Sequence, residues 1–232
     1  MAEYTVEQHA VLIGLIGKSL IDRYGSYGTD LFINVIVAYA NQRGRRMRMR
    51  ALRDGMPLNY ETFLAYGELS FPVLPGDYSV ESREPYINCC HRCQWYEAWK
   101  KMGLTEYGRW YCKYVDMHLV QGFNPDLVMV ARTTMGAGDS LCTFVNVGYN
   151  QTDDSKSRIA QIKEQYSHRY IKSFLYHEAH FLNAFRRICG RIPGDQEEVI
   201  EREVMSAFSE KYGTELAEEV RALSEQDFDD IA

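Results

Sequence analysis

Between Asp126 and Tyr149 the chain reads DLVMVART, then MGAGDS, then LCTFVNVGY. Two apolar runs rich in β-branched residues flank a glycine-containing connection, which is the pattern of a β-hairpin. A second pair of short strands is expected upstream, Tyr78 to Arg83 and Tyr86 to Arg92, with a turn near Glu84-Pro85. Strands are confined to the middle of the chain. Residues 6–23 carry apolar side chains at helical spacing and stop at YGSYG. A second helix is expected from Thr29 to Arg53, ended by the turn pair Asp54-Gly55, and Asn59 caps a short third one. Two helices lie between the strand pairs: residues 94–102, closed by Gly103, and a stretch capped by Thr105 that Asn124-Pro125 breaks. NQTDDSKS reads as a polar loop, residues 158–191 as one long helix, Pro193-Gly194 as a separator and residues 196–212 as a further helix. A short acidic helix completes the chain.

Strands do not alternate with helices in the βαβ manner, so the expected class is α+β. The expected architecture is a small antiparallel sheet packed against a helical layer, with long helices at both termini. One domain is expected over residues 1–232, helical over 1–70, sheet-containing over 71–150 and helical over 151–232. The first and last helical pairs are expected to pack on each other.

Composition narrows the function classes. The net charge is −6 and the pI about 5.6, the wrong sign for a chain that neutralises phosphate backbones. No nucleic acid partner is expected. The apolar stretch from Ala10 to Ile16 is too short to span a bilayer, and Glu3 and Glu7 precede it where a secretory signal has lysines. A cytoplasmic protein with no membrane partner is expected. In that compartment the six cysteines, Cys89, Cys90, Cys93, Cys112, Cys142 and Cys189, read as buried thiols, a metal site or a reactive thiolate rather than disulfides.

Four features bear on chemistry. GAGDSLC delivers Asp139 and then Cys142 at the start of an apolar strand, a placement that suits a thiolate nucleophile and equally a small buried residue. NCCHRCQW contains a CxxC pair, Cys90 and Cys93, which is half of a zinc site, but no second CxxC follows. A strand there puts Cys89 and Cys90 on opposite faces. In YHEAHFLNAF, His177 and His180 are three apart and share a helix face, either as proton-transfer groups or as polar contacts between helices. Arg43, Arg46 and Arg50 line one helical stripe, either as receptors for a carboxylate or as a solvated face that pairs with the acidic C-terminal helices. Asp116 lies four residues after Cys112 and shares its face.

Several blocks resemble the L-2-amino-thiazoline-4-carboxylic acid hydrolase family. They are RGRRMRMRALRDG, RCQWYEAWKKMG, GRWYCKYVDMHLVQGFNPDL, GDSLCTFV and YHEAHFLNAFRRICG, in that order over residues 35–190. The resemblance implies a ring-opening hydrolysis of a cyclic isothiourea, and it places Cys93, Cys112 and Cys142 on family cysteine positions. The family pattern has proline after Cys93, where this chain has Gln94. A fainter resemblance links the GDxxC strand to small-molecule-binding domains of the 4-vinyl-reductase type, in which cysteines hold zinc.

The expected activity is therefore hydrolysis of a C–N bond in a small cyclic amidine, imide or amide. Cys142 attacks, His177 or His180 moves the proton, and Asp139 or Asp116 orients it, with Cys112, Cys93 and Arg46 toward the substrate. No cofactor is expected on this reading. The alternatives are a zinc-assisted hydrolase and a zinc-containing binding or sensor domain. The expected partner is a small-molecule substrate, and exposed apolar helix faces suit a homodimer.

Overall fold

The computed structural model describes residues 4–192 and 196–231. In chain order they form α1 Val6–Tyr24, α2 Ser26–Arg53, α3 Tyr60–Ala65, β1 Tyr78–Arg83, β2 Tyr86–Cys90, α4 Gln94–Met102, α5 Thr105–Phe123, β3 Val128–Thr133, β4 Cys142–Val147, α6 Asp153–Gln165, α7 Phe174–Cys189, α8 Gln196–Tyr212 and α9 Thr214–Leu223. The class is α+β, with one small antiparallel sheet in the middle and long helices at both ends. Contacts gather the chain into two compact units, each discontinuous in sequence. The first holds the described residues up to Tyr39, then Cys93–Tyr114 and Ser173–Asp227. The second holds Ala40–Arg92, Val115–Lys172 and the described residues from Phe228.

In the first unit, α1 opens with a capping box. The Thr5 side chain accepts the Gln8 N–H, and the Gln8 side chain accepts the Thr5 N–H. Ala10, Leu12, Ile13, Ile16 and Leu20 of α1 are wholly buried, and the helix packs on α4, α7 and α8. Trp99 of α4 is also buried, and its indole N–H donates to the Ala10 carbonyl at 2.6 Å. The α7 helix packs on α9, and the Tyr4 hydroxyl donates to Glu219 at 2.6 Å. The first and last helical stretches thus meet inside this unit, as their apolar faces require.

In the second unit the strand order is β1-β2-β4-β3, and every neighbouring pair is antiparallel. Ile87 faces Val145, Cys89 faces Thr143 and Cys90 faces Cys142 across β2 and β4. Side-chain alternation therefore puts Cys89 and Cys90 on opposite faces. Tyr86 and Met129 pack into a core formed by Met47, Phe63, Tyr66, Val120, Phe123 and Tyr170. On the other face Val128, Val130 and Val147 remain exposed. The α2 and α5 helices cross with their backbones in contact. A Cβ on Gly44 would lie 2.3 Å from the Leu119 carbonyl oxygen, and one on Gly122 would lie 2.5 Å from that of Asn41. Only glycine permits that approach.

Three expectations change. The α2 helix starts at Ser26, three residues before Thr29. The stretch read as a polar loop begins a helix, because Thr152 and Ser155 form a reciprocal capping box at the start of α6. Residues 158–191 form two helices instead of one. The chain leaves the helical path at Tyr166, makes a 3-10 turn over Ser167–Tyr170, and restarts as α7, where Ser173 accepts the Tyr176 N–H. Ser167 Oγ donates to the Ala65 carbonyl and the Lys172 N–H to that of Glu68, which pin the break to the chain after α3. That break is where the chain passes from the second unit to the first. The Pro193-Gly194 separator lies outside the described residues.

Candidate active site

In the first unit, His177 and His180 of α7 have no exposed surface. Tyr39 of α2 contacts both. Its ring centre is 4.6 Å from that of His180, and its hydroxyl is 3.5 Å from Nδ1 of His177. The same hydroxyl lies 3.2 Å from Nε2 of His9, a third wholly buried histidine, on α1. Nδ1 of His9 in turn accepts the indole N–H of Trp95 at 3.1 Å. The rings of Tyr111 and Phe174 stand 6.3 and 5.9 Å from His9 and help enclose it. Cys93 is the N-cap of α4, two residues before Trp95, and Cys112 follows Tyr111 on α5. Both thiols are half-buried.

His9, Tyr39 and Trp95 are the members that the motif search missed. They belong to no spaced pattern, and packing alone joins them. One signal was present: His9 interrupts an otherwise apolar helical face, and a buried imidazole needs hydrogen-bond partners.

The second unit holds Cys142, Asp139, Asp116 and Arg46. Cys142 is buried at the start of β4, and the Met135 N–H donates to its Sγ at 3.4 Å. The Cys90 thiol, facing it across the ladder, donates to the Arg92 carbonyl at 3.3 Å. Asp139 is exposed and accepts the Thr134 N–H at 2.9 Å, which closes the hairpin connection. Asp116 keeps some accessible surface while its carboxyl lies deep among protein atoms. Burial pushes that carboxyl up to about 6, with the Arg43 charge pulling the other way. A carboxyl that changes charge near neutrality is suited to moving protons.

The arginine stripe is not a solvated face. Arg46 closes a fork on the Glu68 carboxylate at 2.8 and 2.9 Å, Arg50 reaches it at 2.6 Å and Arg43 at 3.4 Å, and all four residues are buried. Arg46 also donates to the Phe228 carbonyl. The carboxylate these arginines grip, that of Glu68, belongs to their own chain.

Cys90 and Cys93 fall in different units, and among the described residues no group of three His, Cys, Asp or Glu side chains is set to hold a metal ion. No residue set is therefore assigned to zinc. Cys189 is wholly buried, and burial pushes its thiol up to about 12, which suits packing rather than reaction. Three surface hollows of about 430, 560 and 450 Å³ are lined by other residues: the α1–α8 groove around Asp22 and Val204, a charged recess around Arg186 and Glu201, and a cleft beside Arg45 and Gln121.

Fold and side chains define an α+β protein with several thiols and an enclosed histidine–tyrosine cluster. The chain belongs to the L-2-amino-thiazoline-4-carboxylic acid hydrolase family, whose model matches residues 4–145, more than half of its 232 residues. The matched span includes His9, Tyr39, Cys93, Trp95, Cys112, Asp116, Asp139 and Cys142, while α7 with His177 and His180 lies beyond it. Neither the curated proteins nor the solved structures offer a significant match. No described helix is long and apolar enough to cross a membrane.

Proposed function

We propose that this protein hydrolyses a C–N bond in a small cyclic amidine, imide or amide, with 2-amino-thiazoline-4-carboxylate as the first compound to test. One observation carries the reading: a family named for a hydrolase of that heterocycle here contains three buried histidines arranged around one tyrosine. Enclosed imidazoles with hydrogen-bond partners are the side chains best matched to sharing protons near neutrality. His177 and His180 are the proposed proton-handling groups. Cys142 is the proposed nucleophile, with the Met135 N–H directed at its sulfur. Attack of the thiolate on the ring carbon would break the ring C–N bond as the leaving nitrogen takes a proton, and water would then cleave the new C–S bond and return the free thiol.

A second reading assigns the thiol to Cys93. It begins a nine-residue helix, whose N-terminal N–H groups favour a thiolate, and it belongs to the same unit as the histidines. The two readings separate in one assay. Turnover is followed as a ring-opened product heavier by one water, with Cys142→Ser and Cys93→Ser measured side by side. Loss confined to Cys142→Ser supports the first reading, and loss confined to Cys93→Ser moves the nucleophile. Full activity in both variants removes the thiol mechanism. Stabilisation of the protein by the compound with no product formed would favour the binding-domain alternative.

A further inference from the structure

The arginines of α2 fall on two faces. Arg43, Arg46 and Arg50 turn inward to Glu68. Asn41, Arg45 and Arg48 are spaced by four and then three residues, which sets them on one face turned away from that stripe. With Met49 of α2, Gln121 of α5 and Pro125 just after it, they line the cleft of about 450 Å³. All six residues belong to the second unit. The walls are held by backbone: α2 and α5 touch at the cleft itself, where a Cβ on Gly122 would lie 2.5 Å from the Asn41 carbonyl oxygen. Their spacing is thus set before any ligand arrives.

The polar side chains of this cleft are not engaged elsewhere. Arg48 is half-buried, and among the described residues its guanidinium makes no ion pair or hydrogen bond; nor do the side-chain amides of Asn41 and Gln121. Arg45 reaches Asp229 at 3.7 Å, with both side chains more than half exposed, a pairing that water largely screens. The other two hollows differ. Arg23 pairs with Glu203 in one, and Arg186 with Glu201 in the other. Here no acidic side chain is among the described lining residues, in a chain whose net charge is −6.

We propose that this cleft binds a small organic carboxylate, gripped by Arg48 and Arg45. Guanidinium N–H groups match the two oxygens of a carboxylate. The Asn41 and Gln121 amides suit a second polar group on the ligand, and the exposed Met49 and Pro125 suit its carbon atoms. A hollow of this volume takes a small molecule. None of the cysteines and histidines of the hydrolase reading lines it, so the proposal does not rest on that reading.

The test uses the full chain labelled with 15N. Succinate, lactate and benzoate are titrated separately at low salt, and the side-chain amides of Asn41 and Gln121 are followed by 1H–15N correlation. At least one acid should shift both signals saturably below about 10 mM, and succinamide, the uncharged counterpart of succinate, should shift neither. Arg48→Gln should weaken binding about 10–100-fold. Gln121→Glu, at an exposed position, should weaken it too, as read on Asn41, because it places a carboxylate inside the cleft. Arg132→Gln, which removes an exposed arginine of β3 in the same unit, should leave binding unchanged. The proposal is overturned by the absence of a saturable shift with all three acids, or by unchanged affinity in both cleft variants. Equal weakening by Arg132→Gln would mean a general effect of net charge and would also overturn it. Inorganic phosphate bound as tightly as the acids would make this a general anion site and remove the carboxylate assignment.

Discussion

Glu178 shows how much one side chain can set the pH behaviour of this protein. It sits on α7 with no exposed surface, and neither carboxyl oxygen has a hydrogen-bond partner. Burial pushes its carboxyl well above the usual carboxylate range. Folding therefore favours the protonated form. The resulting stability is complete below the usual carboxylate value and is lost as pH rises from there through the folded value. Glu178→Gln keeps the shape and cannot ionise. It should melt at the wild-type temperature near pH 4 and higher than wild type at pH 8, by an amount worth about 1–3 kcal/mol, as read by calorimetry at both pH values. Equal melting at pH 8 would mean that water or a neighbour already satisfies the carboxylate. Asp116 is shifted in the same direction, to about 6. If it accepts a proton during turnover, activity falls as pH drops below about 6. Asp116→Asn should lower the plateau and flatten that acidic limb in a pH–rate profile. An unchanged limb would exclude Asp116 as the group that titrates there.

Among the elements, the ones that declared themselves have local punctuation. The β3–β4 hairpin has its glycine-containing connection, α3 has the Asn59 cap, and α5 stops at Asn124-Pro125. The interruption between α6 and α7 has no proline or glycine to mark it, because residues 165–173 read QYSHRYIKS. Tertiary contacts of Ser167 and Lys172 impose it, and periodicity in one stretch cannot register a contact a hundred residues away. The candidate site divides in the same way. Cysteines and paired histidines are visible by type and spacing, whereas Tyr39 looks like any buried aromatic until it is seen between His9 and His177. Strand register offers its own test. Directly opposed residues have Cα atoms about 4.5–5.5 Å apart, within reach of a disulfide. Mild oxidation with diamide followed by peptide mapping should link Cys90 to Cys142 and leave Cys89, on the opposite face, unlinked to it. A Cys89–Cys142 peptide would contradict the pairing.

At the scale of the whole chain, residues far apart in sequence complete each unit. The segment from Phe228 to Ile231 returns to α2. Phe228 is buried, its carbonyl accepts from Arg46, and the Ile231 carbonyl accepts from Arg50 at 3.3 Å and Arg53 at 3.0 Å. A chain that ends at Asp227 should therefore be destabilised by about 3–5 kcal/mol. The loss combines removal of a buried phenyl ring with removal of acceptors from buried guanidinium groups. Urea unfolding of the truncated and full-length chains measures this, and an unchanged midpoint would show that Glu68 alone satisfies the arginines. The return of that segment also bears on synthesis. Every residue of the first unit up to Asp227 has been made before the last piece of the second unit leaves the ribosome, so the second unit, most of which precedes Ser173, has to wait until the first is finished. During that interval its arginines lack the carbonyls they will bind, and a nascent chain stalled just before Phe228 would be a substrate for chaperones or proteases.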